Sequence, residues 1–428
     1  MKIVDARDES ALRELYAGGW DPPSAIVDAV RAILADVRSG GDEAVTEYTR
    51  RWDFPGAAPD ALRVAIPSTK HARTLLPAPI AAGLELARER IRDFHARQLP
   101  APIDYRTPDG THYAFLSRPL GSIGAYVPGG TASLPSTVLM TVVPAKVAGV
   151  DRVVVVTPPR ADGSIDPAVL FACAICDVDE CYAVGGAQAI GALAYGTASI
   201  APVDKIVGPG NVYVTEAKRQ VFGICGIDGL AGPSEVLVVA DSHADPQLVA
   251  GEIVAQAEHD LLARVAAVSR DRELLAQVGA LLDGAFGRTS GRDDIVGHVL
   301  DTRTWLIAAA DDEQMLEVIE RFAPEHLSLM VTDADTWLPK IRRAGAIFVG
   351  ASTPVAAGDY IAGSNHTLPT SGAARFSSGL RTADYLRTMS VVENSPRRMH
   401  DDAHALAALA DFEGLPAHAR TARLRSGE

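Results

Sequence analysis

Four separate stretches of the chain hold side chains suited to metal and proton chemistry: Gln256-Ala257-Glu258-His259, Glu325-His326, Ala357-Gly358-Asp359-Tyr360 and Ala417-His418. On a helix Gln256 and His259 are three residues apart and share a face, the spacing two ligands need to grip one ion. Glu258 points elsewhere. Asp359 follows a glycine that permits tight backbone, and the loop continues through Gly363-Ser364-Asn365-His366-Thr367-Leu368-Pro369-Thr370; such conformationally special loops often carry function. Glu325-His326 follows Pro324 and precedes an apolar run, so both side chains stand at an element boundary from which they can reach a cleft. There a histidine can serve as a base near neutral pH, and the adjacent carboxylate can orient or activate water. Taken singly, each pair reads as readily as a solvated helix end or a cap. Taken together, in a chain rich in glycine-containing strand ends, they point to metal-assisted oxidation of a small polar alcohol.

Two other groups of ligand-type residues carry less. His400 and His404 also match metal spacing, but they belong to an acidic, solvated helix face, His400-Asp401-Asp402-Ala403-His404. Cys173 and Cys176 form a CxxC, with Cys181 close behind. Their segment, 166–177, is Ala-rich with apolar periodicity, so these thiols are expected as small buried hydrophobes rather than metal ligands. With Cys225 they make only four cysteines, too few for a disulfide scaffold in 428 residues, and a reducing cytoplasm is the expected home.

Composition narrows the function classes. An excess of 54 Asp and Glu over 40 Lys and Arg gives a net charge of -14, which repels phosphate backbones and argues against nucleic-acid binding. No apolar run approaches the roughly 18 residues that span a bilayer, and Met1 to Ser10 is mixed and charged rather than signal-like, so export and membrane insertion are not expected.

The elements that must position these residues follow an αβ rhythm. Strand-like runs fall at Arg152 to Thr157, Glu180 to Val184, Asp204 to Val207, Glu235 to Ala240 and Arg264 to Ser269. Helices are expected between them, at Ser136 to Ala148, Ala187 to Tyr195, Val212 to Phe222 and Pro246 to Glu258, and later at Asp312 to Phe322. Further strands follow at Leu327 to Val331 and near Ala346 to Val349. Parallel strands need crossover connections, so this alternation predicts an α/β fold with helices on both faces of its sheet. Three strand-to-helix junctions could receive a phosphate-bearing cofactor: Gly121 to Gly130, Gly185-Gly186-Ala187-Gln188, and Gly208-Pro209-Gly210-Asn211. None is a full GxGxxG. Gln188 and Asn211 stand at helix starts, where they serve either as cofactor contacts or as ordinary caps.

Jointly, these motifs resemble the histidinol dehydrogenases over nearly the whole chain. The resemblance is carried by Ala125-Tyr126-Val127-Pro128-Gly129-Gly130, Gly208 to Asn211, Ala217 to Gly223, Ile227 to Glu235, Gln256 to His259, Ala323 to Leu327, Asp359 to Thr370 and Glu413-Gly414-Leu415-Pro416-Ala417-His418. It implies an NAD-dependent homodimer with one zinc ion per subunit that takes L-histidinol through L-histidinaldehyde to L-histidine, the last step of histidine biosynthesis. Zinc would be held by Gln256, His259, Asp359 and His418, the last given by the neighbouring subunit; Glu325 and His326 would be catalytic. Ser234, His326 and Glu413, with the zinc ligands, would contact substrate, and Tyr126, Gln188 and Asn211 would contact NAD. The implied fold is α/β with two incomplete Rossmann-like domains, similar to aldehyde dehydrogenases, and small terminal helical domains. Expected units are a helical segment 1–22, a larger discontinuous domain 23–125 with 236–379, a second domain 126–235, and a helical tail 380–428 docking on the partner subunit. Rival readings are a zinc hydrolase, a paralogous dehydrogenase of another small alcohol such as a sulfonated diol, and a thiohemiacetal mechanism through Cys225.

Overall fold

A computed structural model describes residues 1–129, 133–284 and 291–426; Gly130, the last residue of the Ala125 to Gly130 motif, lies outside them. Two six-stranded sheets form the body. The first runs in the order Ile3–Asp5, Thr304–Ala308, Arg264–Ser269, Glu235–Ala240, His326–Met330 and Ala346–Val349, all parallel. Glu235–Ala240 and Arg264–Ser269 are buried along their whole length, as central strands covered on both faces must be, and this explains their unbroken apolar runs. The second sheet runs Arg63–Val64, Glu180–Ala183, Arg152–Thr157, Ser122–Tyr126, Lys205–Val207 and Gly226–Ile227, parallel except at the Arg63–Val64 edge. The mixed α/β architecture with parallel sheets is therefore as expected.

The grouping along the chain differs from expectation. Residues 23–125 do not join the 236–379 sheet. Helix Ser24–Trp52 packs on helices Gly186–Tyr195 and Val212–Val221, and helix Ala78–Ala96 packs on Pro135–Ala148. The reason is apolar matching: Val30, Ile33, Leu34 and Val37 share one core with Ile190, Leu193 and Ile206 of the second sheet's layer. Nor is 1–22 purely helical, since Ile3–Asp5 extends the edge of the first sheet beside Thr304–Ala308. The segment 380–428 is not purely helical: after a 3-10 turn, Thr382–Tyr385, comes a strand, Leu386–Glu393, paired antiparallel with His112–Pro119, which also carries Ile103–Arg106 in a small third sheet.

The last two helices, Pro396–Phe412 and Pro416–Ser426, pack on each other through Ala407, Ala410, Ala419 and Ala422. Small residues let the two backbones approach, but they leave larger apolar groups outside. Phe412 is 91% exposed, and Leu409 and Leu424 are also strongly exposed. Large apolar side chains left uncovered in this way often meet another surface.

Candidate active site

Sheet register builds the first half of the site. Val236 lies opposite His326 in the parallel pair, which sets Glu235 beside the Glu325-His326 step. The His326 ring is fixed through Nδ1, 2.9 Å from the Glu235 carbonyl oxygen. A carbonyl can only accept, so Nδ1 carries the proton and Nε2 holds the lone pair. That Nε2 is buried without a hydrogen-bond partner among the described residues, and Asp359 Oδ1 stands 3.8 Å from it. Burial, reinforced by repulsion from His259 and His366, holds the His326 pKa down to about 4. The imidazole is thus a neutral, pre-oriented acceptor at physiological pH.

Glu235 organises its neighbours on every side. Its N–H donates to Glu325 Oε2 at 2.9 Å, and its carboxylate accepts the N–H groups of Ser371 at 2.9 Å and Glu325 at 3.3 Å. It pairs with the buried Arg264, whose guanidinium also reaches the carbonyls of Glu14, Leu15 and Ala17 in the amino-terminal segment. Burial pushes the Glu325 carboxyl well above the usual range, and the charges of Glu235 and Asp359 add to that. Because breaking a buried pair strands an uncompensated charge, Arg264→Met is expected to cost about 3–5 kcal/mol of stability, read as a fall in the urea midpoint. A variant as stable as the parent would remove this pair from the framework of the site.

The candidate metal ligands come from three elements. Gln256 is buried at the end of helix Pro246–Ala257, and its Nε2 has no partner among the described residues. The helix does not reach Glu258 as a regular turn, so Gln256 and His259 share a terminal turn rather than a helix face. The His259 N–H closes it on the Gln256 carbonyl at 3.2 Å, and the imidazole is exposed. Asp359 lies not in a loop but in a short helix, Val355–Tyr360, whose first N–H is taken by the buried Glu252 carboxylate at 3.1 Å. Gly358 has to be glycine there, because a Cβ would sit 2.5 Å from the Phe348 ring. Burial raises the Asp359 pKa while His259 opposes the shift, so the two groups act on one another.

Among the described residues no three His, Cys, Asp or Glu side chains form a metal site by themselves. The donor set within one chain is partial but chemically apt for a divalent ion: the Gln256 amide oxygen, an imidazole nitrogen and a carboxylate. Glu413 and His418 are not brought to this group. Both are exposed on the terminal helix pair, and among the described residues no side-chain hydrogen bond or ion pair ties either to it. Ser234 is half-buried beside Glu235, and its carbonyl accepts the Arg264 N–H at 3.0 Å. His366 was given no role by the sequence, yet burial and then the charge of His259 bring its pKa down to about 4. The signal available was its place in the glycine-opened loop after Asp359.

A second concavity, of about 870 Å³, opens at the carboxyl ends of the second sheet's strands, and Tyr126, Gln188 and Asn211 all line it. Its size is that of a cofactor pocket. Both amide atoms of Gln188 are buried without a partner among the described residues. Tyr126 accepts the Gly186 N–H at 3.1 Å, and burial lifts its pKa to about 12. Asn211 Oδ1 caps helix Val212–Val221 through the N–H groups of Tyr213 and Val214 at 3.0 and 3.1 Å, so capping is real and its amide nitrogen is what faces a ligand question. The turn before it is clamped: Gly208 donates to Asp228 at 2.6 Å and accepts from Lys218 at 2.9 Å, and these two buried side chains pair with each other. At Gly208, φ is +111°, and a Cβ would lie 2.2 Å from the Tyr126 carbonyl oxygen.

The remaining candidates stay apart. His400 and His404 are exposed, and the four cysteines are free and buried. Burial pushes the Cys225 thiol up to about 12, the opposite of an activated nucleophile. Cys225→Ser is therefore expected to keep activity within about twofold in a steady-state assay, whereas a catalytic thiol would lose orders of magnitude. No helix among the described residues is long and apolar enough to cross a membrane.

Parallel α/β sheets, a cofactor-sized cavity at strand ends and a buried carboxyl–imidazole pair define an α/β enzyme. Residues 21–426 match the family model described as histidinol dehydrogenase. The histidinol dehydrogenase of Nitrosospira multiformis is 44% identical, over 99% of this chain and 96% of its own length. That of Pseudomonas putida is 45% identical, with 99% and 96% covered. The crystal structure of the Elizabethkingia anophelis histidinol dehydrogenase superposes with a TM-score of 0.93 at 32% identity, covering 99% of this chain and 97% of that one. The chain belongs to the histidinol dehydrogenase family and is an oxidoreductase.

Proposed function

We propose that this chain oxidises L-histidinol through L-histidinaldehyde to L-histidine, the last step of histidine biosynthesis, with NAD and one zinc ion per subunit, as a cytoplasmic homodimer. When bound, NAD accepts the hydrides and zinc holds the substrate's imidazole and amine. Gln256, His259 and Asp359, with His418 of the partner subunit, would hold the ion; the uncovered apolar side chains of the terminal helices support that sharing. Tyr126, Gln188 and Asn211 would contact the dinucleotide, and Ser234, His326 and Glu413 the substrate.

The observation that carries the reading is the tautomer of His326. With Nδ1 committed to the Glu235 carbonyl, the unpartnered Nε2 is the atom that takes the hydroxyl proton of the alcohol as its carbon loses hydride. Glu325, held by the Glu235 N–H, then takes a proton from the water whose oxygen bonds to the aldehyde carbon. Once His326 has released its first proton to solvent, Nε2 removes the remaining hydroxyl proton as the second hydride departs, leaving the carboxylate. The water supplies the second oxygen, and two hydrides leave.

The test is a steady-state assay of metal-stripped and zinc-restored protein with histidinol and NAD. Expected are two NADH per histidinol consumed, loss of rate on stripping and recovery with zinc. Absence of NADH absorbance with a hydrolysed product would install the zinc hydrolase reading, and NADH from a sulfonated diol but not from histidinol the paralogous one.

A further inference from the structure

The cavity that holds Tyr126, Gln188 and Asn211 contains a carboxylate not used so far. Asp53 caps the end of helix Ser24–Trp52 and lines the cavity with Ala29, Ile33 and Trp52 of the same helix. Its Oδ2 is shut off from solvent and has no hydrogen-bond partner among the described residues. Arg160 lines the same cavity but is paired with Asp166. Burial pushes the Asp53 carboxyl up to about 6, in keeping with a dry acceptor that no cation compensates.

A dry, unpaired acceptor at a ligand cavity marks a place where a ligand supplies the donor. In a dinucleotide the phosphates are anionic acceptors and would be repelled. Ribose hydroxyls are donors, and their vicinal pair matches the two oxygens of one carboxylate once rotation about χ2 turns the solvent-shielded Oδ2 toward them. The wall made by helix Ser24–Trp52 is otherwise apolar, which suits a purine base rather than a carboxamide, so the ribose attached to that base falls beside the helix end. We infer that Asp53 receives the adenosine ribose hydroxyls of the dinucleotide and thereby excludes the 2′-phosphorylated form, an inference that rests on reading this cavity as the NAD site. An acidic side chain at that hydroxyl is also the general device by which α/β folds separate the two dinucleotides.

The experiment is equilibrium binding of NAD, NADP and 2′-deoxy-NAD to the zinc-loaded protein without substrate, for the parent, D53N, D53A and Q188A, each first checked for an unchanged thermal midpoint. The parent is expected to favour NAD over both analogues, and D53N to weaken NAD about tenfold while leaving 2′-deoxy-NAD nearly unchanged, so that the preference collapses. D53N is isosteric and keeps the test open where D53A does not fold. A parent that binds NADP as tightly as NAD overturns the inference, as does a preference that D53N retains. If the parent binds NAD and Q188A, D53N and D53A all bind it equally well, the cavity reading itself falls.

Discussion

Glu325→Gln is expected to oxidise histidinol to the aldehyde and to stop there. The replacement is isosteric, and the amide oxygen can still accept the Glu235 N–H that holds Glu325 Oε2 at 2.9 Å, so the loop and strand should keep their places. What disappears is a group able to take a proton from water. Loss of a positioned general base is worth about 10²–10⁴ in rate, and that loss should fall on the aldehyde step alone, with alcohol oxidation reduced by less than about tenfold. A single-turnover measurement separates the two: one NADH per site in place of two, and no NADH when the aldehyde is the substrate offered. His326→Asn should damage both steps, because the same Nε2 serves each. Equal loss of the two half-reactions in the Glu325 variant would contradict the division of labour between the adjacent residues.

What could be read in the sequence was whatever is local. The strands Glu235–Ala240 and Arg264–Ser269 announce themselves through the unbroken apolar runs 236–240 and 265–268 that double-sided burial demands, with the polar Glu235 and Arg264 confined to their first positions. Ser122–Tyr126 is just as central, yet it carries Gly124, which strand propensity disfavours; the glycine is there because a Cβ would press 2.7 Å from a Leu193 methyl. Ile103–Arg106 is exposed throughout and only four residues long, and Ile3–Asp5 is shorter still, so neither is long enough to show a period. The grouping of residues 23–125 followed no local rule at all, since it depends on which sheet offers a matching apolar face to helix Ser24–Trp52.

The site divides along the same line. Tyr126, Gln188 and Asn211 stand at strand-to-helix junctions, and one cavity gathers them. Glu235 could not have been singled out, because its influence comes from lying next to His326 across a sheet ladder, 91 residues away in sequence. Asp53 is a lone carboxylate at a helix end, where solvation is the ordinary reading; only the absence of a partner inside the fold gives it meaning.

Mixing two inactive variants should restore activity, provided each subunit lends a ligand to the other. His259→Ala and His418→Ala are each expected to lose roughly hundredfold or more, since removing a metal ligand outdoes the loss seen for its supporting residues. In a heterodimer, one site combines the intact His259 of one chain with the intact His418 of the other, and the second site carries both lesions. Random exchange makes half the dimers mixed, and half the sites in those are whole, so recovery should approach about a quarter of the parent rate. His259→Ala mixed with Asp359→Asn should recover nothing, as both residues come from the same side of the shared site and no combination is intact. The physical ground is the terminal helix pair, which packs on itself through alanines, presents Phe412 at 91% exposure and leaves His418 exposed while Glu325 and His326 are buried. If isotope-tagged subunits exchange fully while the mixture of His259→Ala and His418→Ala stays inactive, or if His418→Ala alone keeps its rate, the ion is held within one chain and the tail has another purpose.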